Sequence, residues 1–379
     1  MTRPAPAVPP VEGEDTVLKI ECTYRFRQGE TSMLGPAASA DEDLKNAPEE
    51  GTYHYRLYLP PGYNANPAAK YPVLFIASPN GNASIGNFQE RARRDRWLVV
   101  ALIESKNSSP LWLGNFLGAH DDVIARARVI GDLKFATGMS GGSRNASTYA
   151  VFRPGFRGLI LQAAGFGYDK SGYRYDSVKK NRDLLVYGIF GSRDQLNFKE
   201  VARVQEALPP YTVSQMEVWS GKHQWAPAES LERGVDWMER KIFLENRTTP
   251  SGDACAWYCH KQLRLLESAT RPIERYELIE SVLVVAARLN DTGLKGRLPT
   301  LRAEATELAR SAELQGELAA RQAFLNAAAA DDRHQMRTAA TARQVVGGYE
   351  QVAQRFPGTV YAGKAAARAA SLKMEFKLG

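Results

Sequence analysis

Apolar positions along the first 245 residues repeatedly change period. TVLKIECTYRF (16–26) and TYHYRLYLPP (52–61) alternate apolar and polar residues, the period of strands with one buried face. YPVLFIAS (71–78) and RWLVVALIES (96–105) are unbroken apolar runs, and DLKFATG (132–138), RGLILQAAG (157–165), DLLVYGIFG (183–191) and TVSQMEVWSG (212–221) bring the set to eight. Continuous apolar strands are buried on both faces, as in a parallel sheet. Helical segments are expected between them at about 118–129, 141–152, 197–207 and 228–243. Strands alternating with helices predict a doubly wound, mostly parallel eight-stranded α/β sheet over 16–245.

Past 245 the period becomes helical. ENRTTPSGDA reads as a linker, placed at 246–254, and 255–379 reads as a smaller all-α domain of four or five helices. Tyr276, Ile279, Leu283 and Ala286 recur at helical spacing, and 301–330 is rich in strong helix formers. YEQVAQRFPGTVYAGKAAARAASL (349–372) resembles the junction of two tetratricopeptide units. This domain is expected to bind a protein partner or to mediate oligomerisation. The Pro-rich start, 1–15, is expected to be disordered.

Charge narrows the function classes. The net charge of +7 is spread among acidic residues with no basic stripe, so no nucleic-acid partner is expected. No run approaches the roughly 18 apolar residues of a membrane span. Three cysteines, Cys22, Cys255 and Cys259, cannot build a disulfide framework. Cys255 and Cys259 beside His260 fall short of a zinc ligand set, and neither metal nor cofactor is expected. A secreted or periplasmic location is expected over a cytoplasmic one.

The chemistry concentrates in FATGMSGGSRNAS, residues 135–147. Gly138-Met139-Ser140-Gly141-Gly142 fits G-x-S-x-G between a predicted strand and a predicted helix, a turn that thrusts a serine hydroxyl from the sheet edge. Glycines at both ends of the pentad leave room for the chain to cross itself. Asp194 follows the strand at 183–191, and His223 follows the strand at 212–221. The other histidines fit less well. His54 lies in a strand, His120 precedes the serine, and His260 and His334 fall in the helical region. Ser140, Asp194 and His223 are therefore expected to act as nucleophile, acid and base.

On ATGMSGGSRNASTYA, PGFRGLILQAAGFG, FGSRDQLNF and GKHQWAP, residues 50–245 resemble the α/β-hydrolases, in particular the polyhydroxybutyrate depolymerase and feruloyl esterase group. The resemblance implies a serine hydrolase of carboxylic esters, and an oxyanion hole built from the amide of Gly141 and a residue after the third strand. Here that stretch is ASPNGNAS, where Pro79 has no N–H, so Asn80 is the expected second donor, with Gly81 next. Met139, Tyr168 and Trp225 are the expected substrate-binding residues. The segment at 166–182 is too short and polar for a cap, which predicts an open cleft for short-acyl or aromatic esters on a bulky, polymer-linked carrier. A serine peptidase of the same fold and a hydrolase-fold binding scaffold are the competing readings.

Overall fold

The alternating segments do become strands. A computed structural model of the chain describes residues 16–31, 33, 45–169, 172–173, 175–289, 291–333 and 338–378; the Pro-rich 1–15 lies outside them. The eight expected strands are β1 (Thr16–Arg25), β2 (Glu50–Leu59), β3 (Tyr71–Ala77), β4 (Leu98–Leu102), β5 (Val129–Met139), β6 (Phe156–Gln162), β9 (Leu185–Gly191) and β10 (Ser214–Trp219). Two further strands, β7 (Tyr168–Asp169) and β8 (Gly172–Tyr173), form a small separate hairpin.

The large sheet has the order β1-β2-β4-β3-β5-β6-β9-β10. β1, β2 and β4 pair antiparallel, and β4, β3, β5, β6 and β9 pair parallel. Burial follows this division. Every residue of β3, β4 and β9 is buried, whereas β1 alternates, with Val17, Lys19, Glu21, Thr23 and Arg25 exposed. One sheet face packs on the helix Trp112–Arg126, where the Phe116 ring stacks on Tyr149 with centroids 3.8 Å apart. This helix starts six residues before its predicted start at 118. Gly114 and Gly118 obscure it in the sequence, yet they let the sheet approach: a Cβ on Gly114 would fall 2.0 Å from Tyr53 Oη.

Two other differences have local causes. The helix expected over 141–152 is two short ones, Gly141–Ala146 and Tyr149–Phe152. Between them the hydroxyls of Ser147 and Thr148 donate back to the carbonyls of Arg144 and Asn145, competing with the helical ladder. The helix Gln89–Asp95 was not expected, because an arginine occupies its buried face. Arg91 is 2% exposed and pairs with Asp95, Glu232, Asp236 and Glu239 at 2.5–3.1 Å.

The chain divides into two compact units, the first ending at Arg240 and the second running from Lys241 and including Val218–Ser220. The second unit holds the helices Gly252–Ser268, Pro272–Ala286, Thr292–Ala309, Ala312–Arg333, Ala339–Arg355 and Val360–Phe376. That is six among the described residues, where the pattern predicts four or five. The joints at 269–271 and 310–311 are too brief to interrupt the apolar period. Val345, Tyr349 and Val352 pack with Ala365, Ala369 and Leu372, and the two small alanines let the last two helices approach closely. No helix among the described residues is long and apolar enough to cross a membrane.

Candidate active site

β5 ends at Met139, and the next residue, Ser140, turns sharply with φ 54° and ψ −120° before the helix Gly141–Ala146 begins. Such a sparsely populated positive-φ conformation costs a non-glycine residue about 1–3 kcal/mol. It persists because its surroundings fix it. Ser140 N–H donates to Gln162 O at 2.9 Å, and Ser140 O accepts from Arg144 N–H at 3.2 Å. The flanking glycines are needed for contact. A Cβ on Gly138 would stand 2.3 Å from the carbonyl carbon of Gly142, and one on Gly142 would stand 2.3 Å from Ala77 O.

Asp194 and His223 arrive from the ends of β9 and β10. Gly191 lies so near Gly221 that a Cβ on it would be 2.4 Å from Gly221 O, and Arg193 N–H donates to that oxygen at 2.8 Å. Asp194 is buried; its Oδ1 accepts from the N–H groups of Leu196 and Asn197 at 2.9 and 3.0 Å. Its Oδ2 lies 2.8 Å from His223 Nδ1, and His223 Nε2 lies 2.9 Å from Ser140 Oγ. A carboxylate only accepts, so His223 carries its proton on Nδ1 and offers Nε2 to the serine hydroxyl. Glu200, the other buried carboxylate nearby, is taken up by Arg144 at 2.6 Å and Gly165 N–H at 2.9 Å.

A serine held strained between strand and helix, with an acid and then a histidine following on later strand ends, decides the architecture. The first unit has the α/β-hydrolase fold. No protein-family model and no curated protein matches the sequence. Among solved structures, the chain is similar to an IroE-like serine hydrolase from Shewanella oneidensis, at 12% identity and a TM-score of 0.44 over 77% of this chain and 99% of that one. It is similar to a ferulic acid esterase, at 16% identity and a TM-score of 0.40 over 60% and 99% of the two chains. It is also similar to a feruloyl esterase module from Clostridium thermocellum complexed with sinapinate, at 13% and 0.40 over 62% and 91%.

The remaining expected residues of this α/β-hydrolase unit are distributed unevenly. Gly141 N–H begins its helix and has no intrahelical acceptor. Asn80 Oδ1 accepts from Ser78 Oγ and Asn82 N–H, while its own N–H meets no acceptor among the described residues. Gly81 N–H is already spent on Ser78 O at 3.3 Å. Trp225 lines a cavity of about 140 Å³ with Ile76, Ile85, Phe88, Ile160 and Leu231. Met139 is half-buried at the strand end and is absent from the cavity wall. Tyr168 falls in β7, and its side chain lies outside what the structure describes.

Sequence reasoning passed over Gln162. Its carbonyl anchors Ser140, its Oε1 accepts from Ala226 N–H at 3.1 Å, and its side chain lines the cavity. The available signal was a polar residue closing the apolar run RGLILQ.

Proposed function

We propose that the protein hydrolyses carboxylic esters through an acyl-enzyme on Ser140. The observation that carries this reading is the hydrogen-bonded series Asp194–His223–Ser140, with spacings of 2.8 and 2.9 Å. A serine hydroxyl is a poor nucleophile until a base removes its proton, and His223 Nε2 is aligned to do so. Ser140 Oγ attacks the carbonyl carbon while the N–H groups of Gly141 and Asn80 receive the developing oxyanion. The tetrahedral species collapses as His223 returns the proton to the leaving alcohol. Water, deprotonated by the same nitrogen, then releases the acid. Asp194, gripped by two backbone amides, orients the imidazole and stabilises its cation.

The apolar cavity supports a compact acyl group. Ser140, Asp194 and His223 do not line it, but Thr137, in its wall, lies three residues before Ser140 along β5, and Trp225 two residues after His223. A volume of about 140 Å³ is near that of an engineered protein cavity that holds benzene, room for butyryl or a single ring. The bulky part of the ester stays outside, consistent with the polymer-linked carrier expected from the short segment at 166–182.

A fluorophosphonate probe and matched p-nitrophenyl butyrate and butyranilide substrates test this reading. The expected result is stoichiometric labelling that Ser140→Ala abolishes, with ester turnover far above amide turnover. Labelling elsewhere, or preference for the amide, overturns it.

A further inference from the structure

The loop between β4 and the helix Trp112–Arg126 reaches the nucleophile bend from the side. Asn107 N–H donates to Pro79 O at 3.1 Å, tying this loop to the one that carries Asn80. Ser108, the next residue, has φ 51°, a left-handed backbone on a non-glycine residue. Strain of that kind persists where the surroundings dictate it, and it clusters at functional sites. The Asn107 side chain, beside Ser108, lies against Gly141. A Cβ on Gly141 would stand 1.5 Å from Asn107 Oδ1, 2.6 Å from Cγ and 3.0 Å from Nδ2. The carboxamide therefore fills the space in which any other residue after the nucleophile would carry its side chain.

Nothing among the described residues uses that carboxamide. Asn107 is exposed, and its side-chain amide has no hydrogen-bond partner among the described residues. By contrast, Asn87 Nδ2 holds Ala226 O at 2.7 Å, Asn115 Nδ2 holds His54 O at 2.9 Å, and Asn197 Nδ2 holds Ala163 O at 2.8 Å. With no partner to fix it, a half-turn of the Asn107 amide exchanges Oδ1 and Nδ2 in the same space.

We infer that Asn107 is a third hydrogen-bond donor to the reacting carbonyl oxygen, acting from Nδ2 beside Gly141 N–H. The inference rests on the ester-hydrolase reading, because the oxyanion develops next to that N–H. A neutral donor bonds an anionic oxygen more strongly than a carbonyl, so the contact strengthens as the transition state forms. It also supplies, by side chain, what Pro79 cannot give by backbone.

The test uses the full chain, p-nitrophenyl acetate and phenylboronic acid. The boronic acid adds Ser140 Oγ to its trigonal boron, with the serine proton held on His223, giving a tetrahedral anion in the oxyanion position. Asn107→Ala is expected to lower kcat about 10²-fold, the scale of one lost oxyanion donor, with KM little changed. Boronate inhibition is expected to weaken in parallel while the urea midpoint holds. Asn107→Asp is expected to fall further, since a carboxylate then faces the developing charge. A kcat for Asn107→Ala within about twofold of the parent, with boronate inhibition intact, overturns the inference and leaves the Ser140 reading standing. A parent protein that neither turns over the ester nor accepts a fluorophosphonate overturns both.

Discussion

His120 Nε2 faces the Lys134 ammonium at 3.0 Å, so this histidine accepts a hydrogen bond and stays neutral. Its Nδ1 sits 2.9 Å from Asp121, which Arg153 also grips at 2.7 Å, and Arg153 reaches on to Glu30 at 2.8 Å. Burial depresses both bases, His120 to about 4 and Lys134 to about 8. The imidazole of an unfolded chain protonates near its ordinary value of about 6.5. Between these values the unfolded chain binds a proton that the folded chain refuses. Stability contributed here is therefore complete above about 6.5 and is lost as pH falls towards about 4, by about 3 kcal/mol. Urea denaturation at pH 7 and pH 4.5 measures it, and His120→Gln should flatten the difference. For Lys134 the same sign makes stability rise as pH climbs from about 8 towards 10.5, a rise that Lys134→Met should remove.

Asp194→Asn preserves size and both backbone hydrogen bonds but lets the side chain donate towards His223. The imidazole then adopts the wrong tautomer. Ester turnover is expected to fall about 10³–10⁴-fold with the fold retained, as judged by circular dichroism. Glu200→Gln leaves the series untouched and is expected to cost activity far less. The reverse ranking would assign the acid to Glu200.

The proposed seat of the acyl group in the cavity predicts a chain-length preference. Activity on p-nitrophenyl esters is expected to peak between acetyl and butyryl and to drop sharply by about C8. Leu231→Phe, which adds bulk to the wall, is expected to move the optimum towards acetyl and raise KM for butyrate. A maximum at C10 or longer would show that the acyl chain lies elsewhere.

Gly142→Ala tests the bend itself. The new methyl would meet backbone on both sides, 2.3 Å from Ala77 O and 2.8 Å from Ser78 N, and backbone cannot rotate away. Overpacking of this kind costs about 1–3 kcal/mol. Turnover of p-nitrophenyl butyrate should suffer more than the urea midpoint does, because the displaced strand end leads into the loop of Asn80, the proposed oxyanion donor.

Period and punctuation made the sheet legible. Unbroken apolar runs became the buried β3, β4 and β9, and the alternating one became the half-exposed β1. Glycines and strand ends marked where Ser140, Asp194 and His223 would stand. What stayed hidden depends on partners distant in sequence. Arg91 lies inside its helix because four carboxylates, three of them more than 140 residues away, surround it. Lys134 interrupts an apolar strand because His120 awaits it. Asn107 looks like any loop asparagine until the fold sets it against Gly141.

The cavity has a consequence for divergence. Ile85, Phe88 and Leu231 belong to the loop after β3 and the helix Ala228–Glu239, while the serine, acid and histidine stand on three other strand ends. On the proposed reading, drift in those three wall positions reshapes the space offered to an acyl group without moving any atom of the Asp194–His223–Ser140 series. On that reading, descendants of such a chain can part company in diet while inheriting the same chemistry.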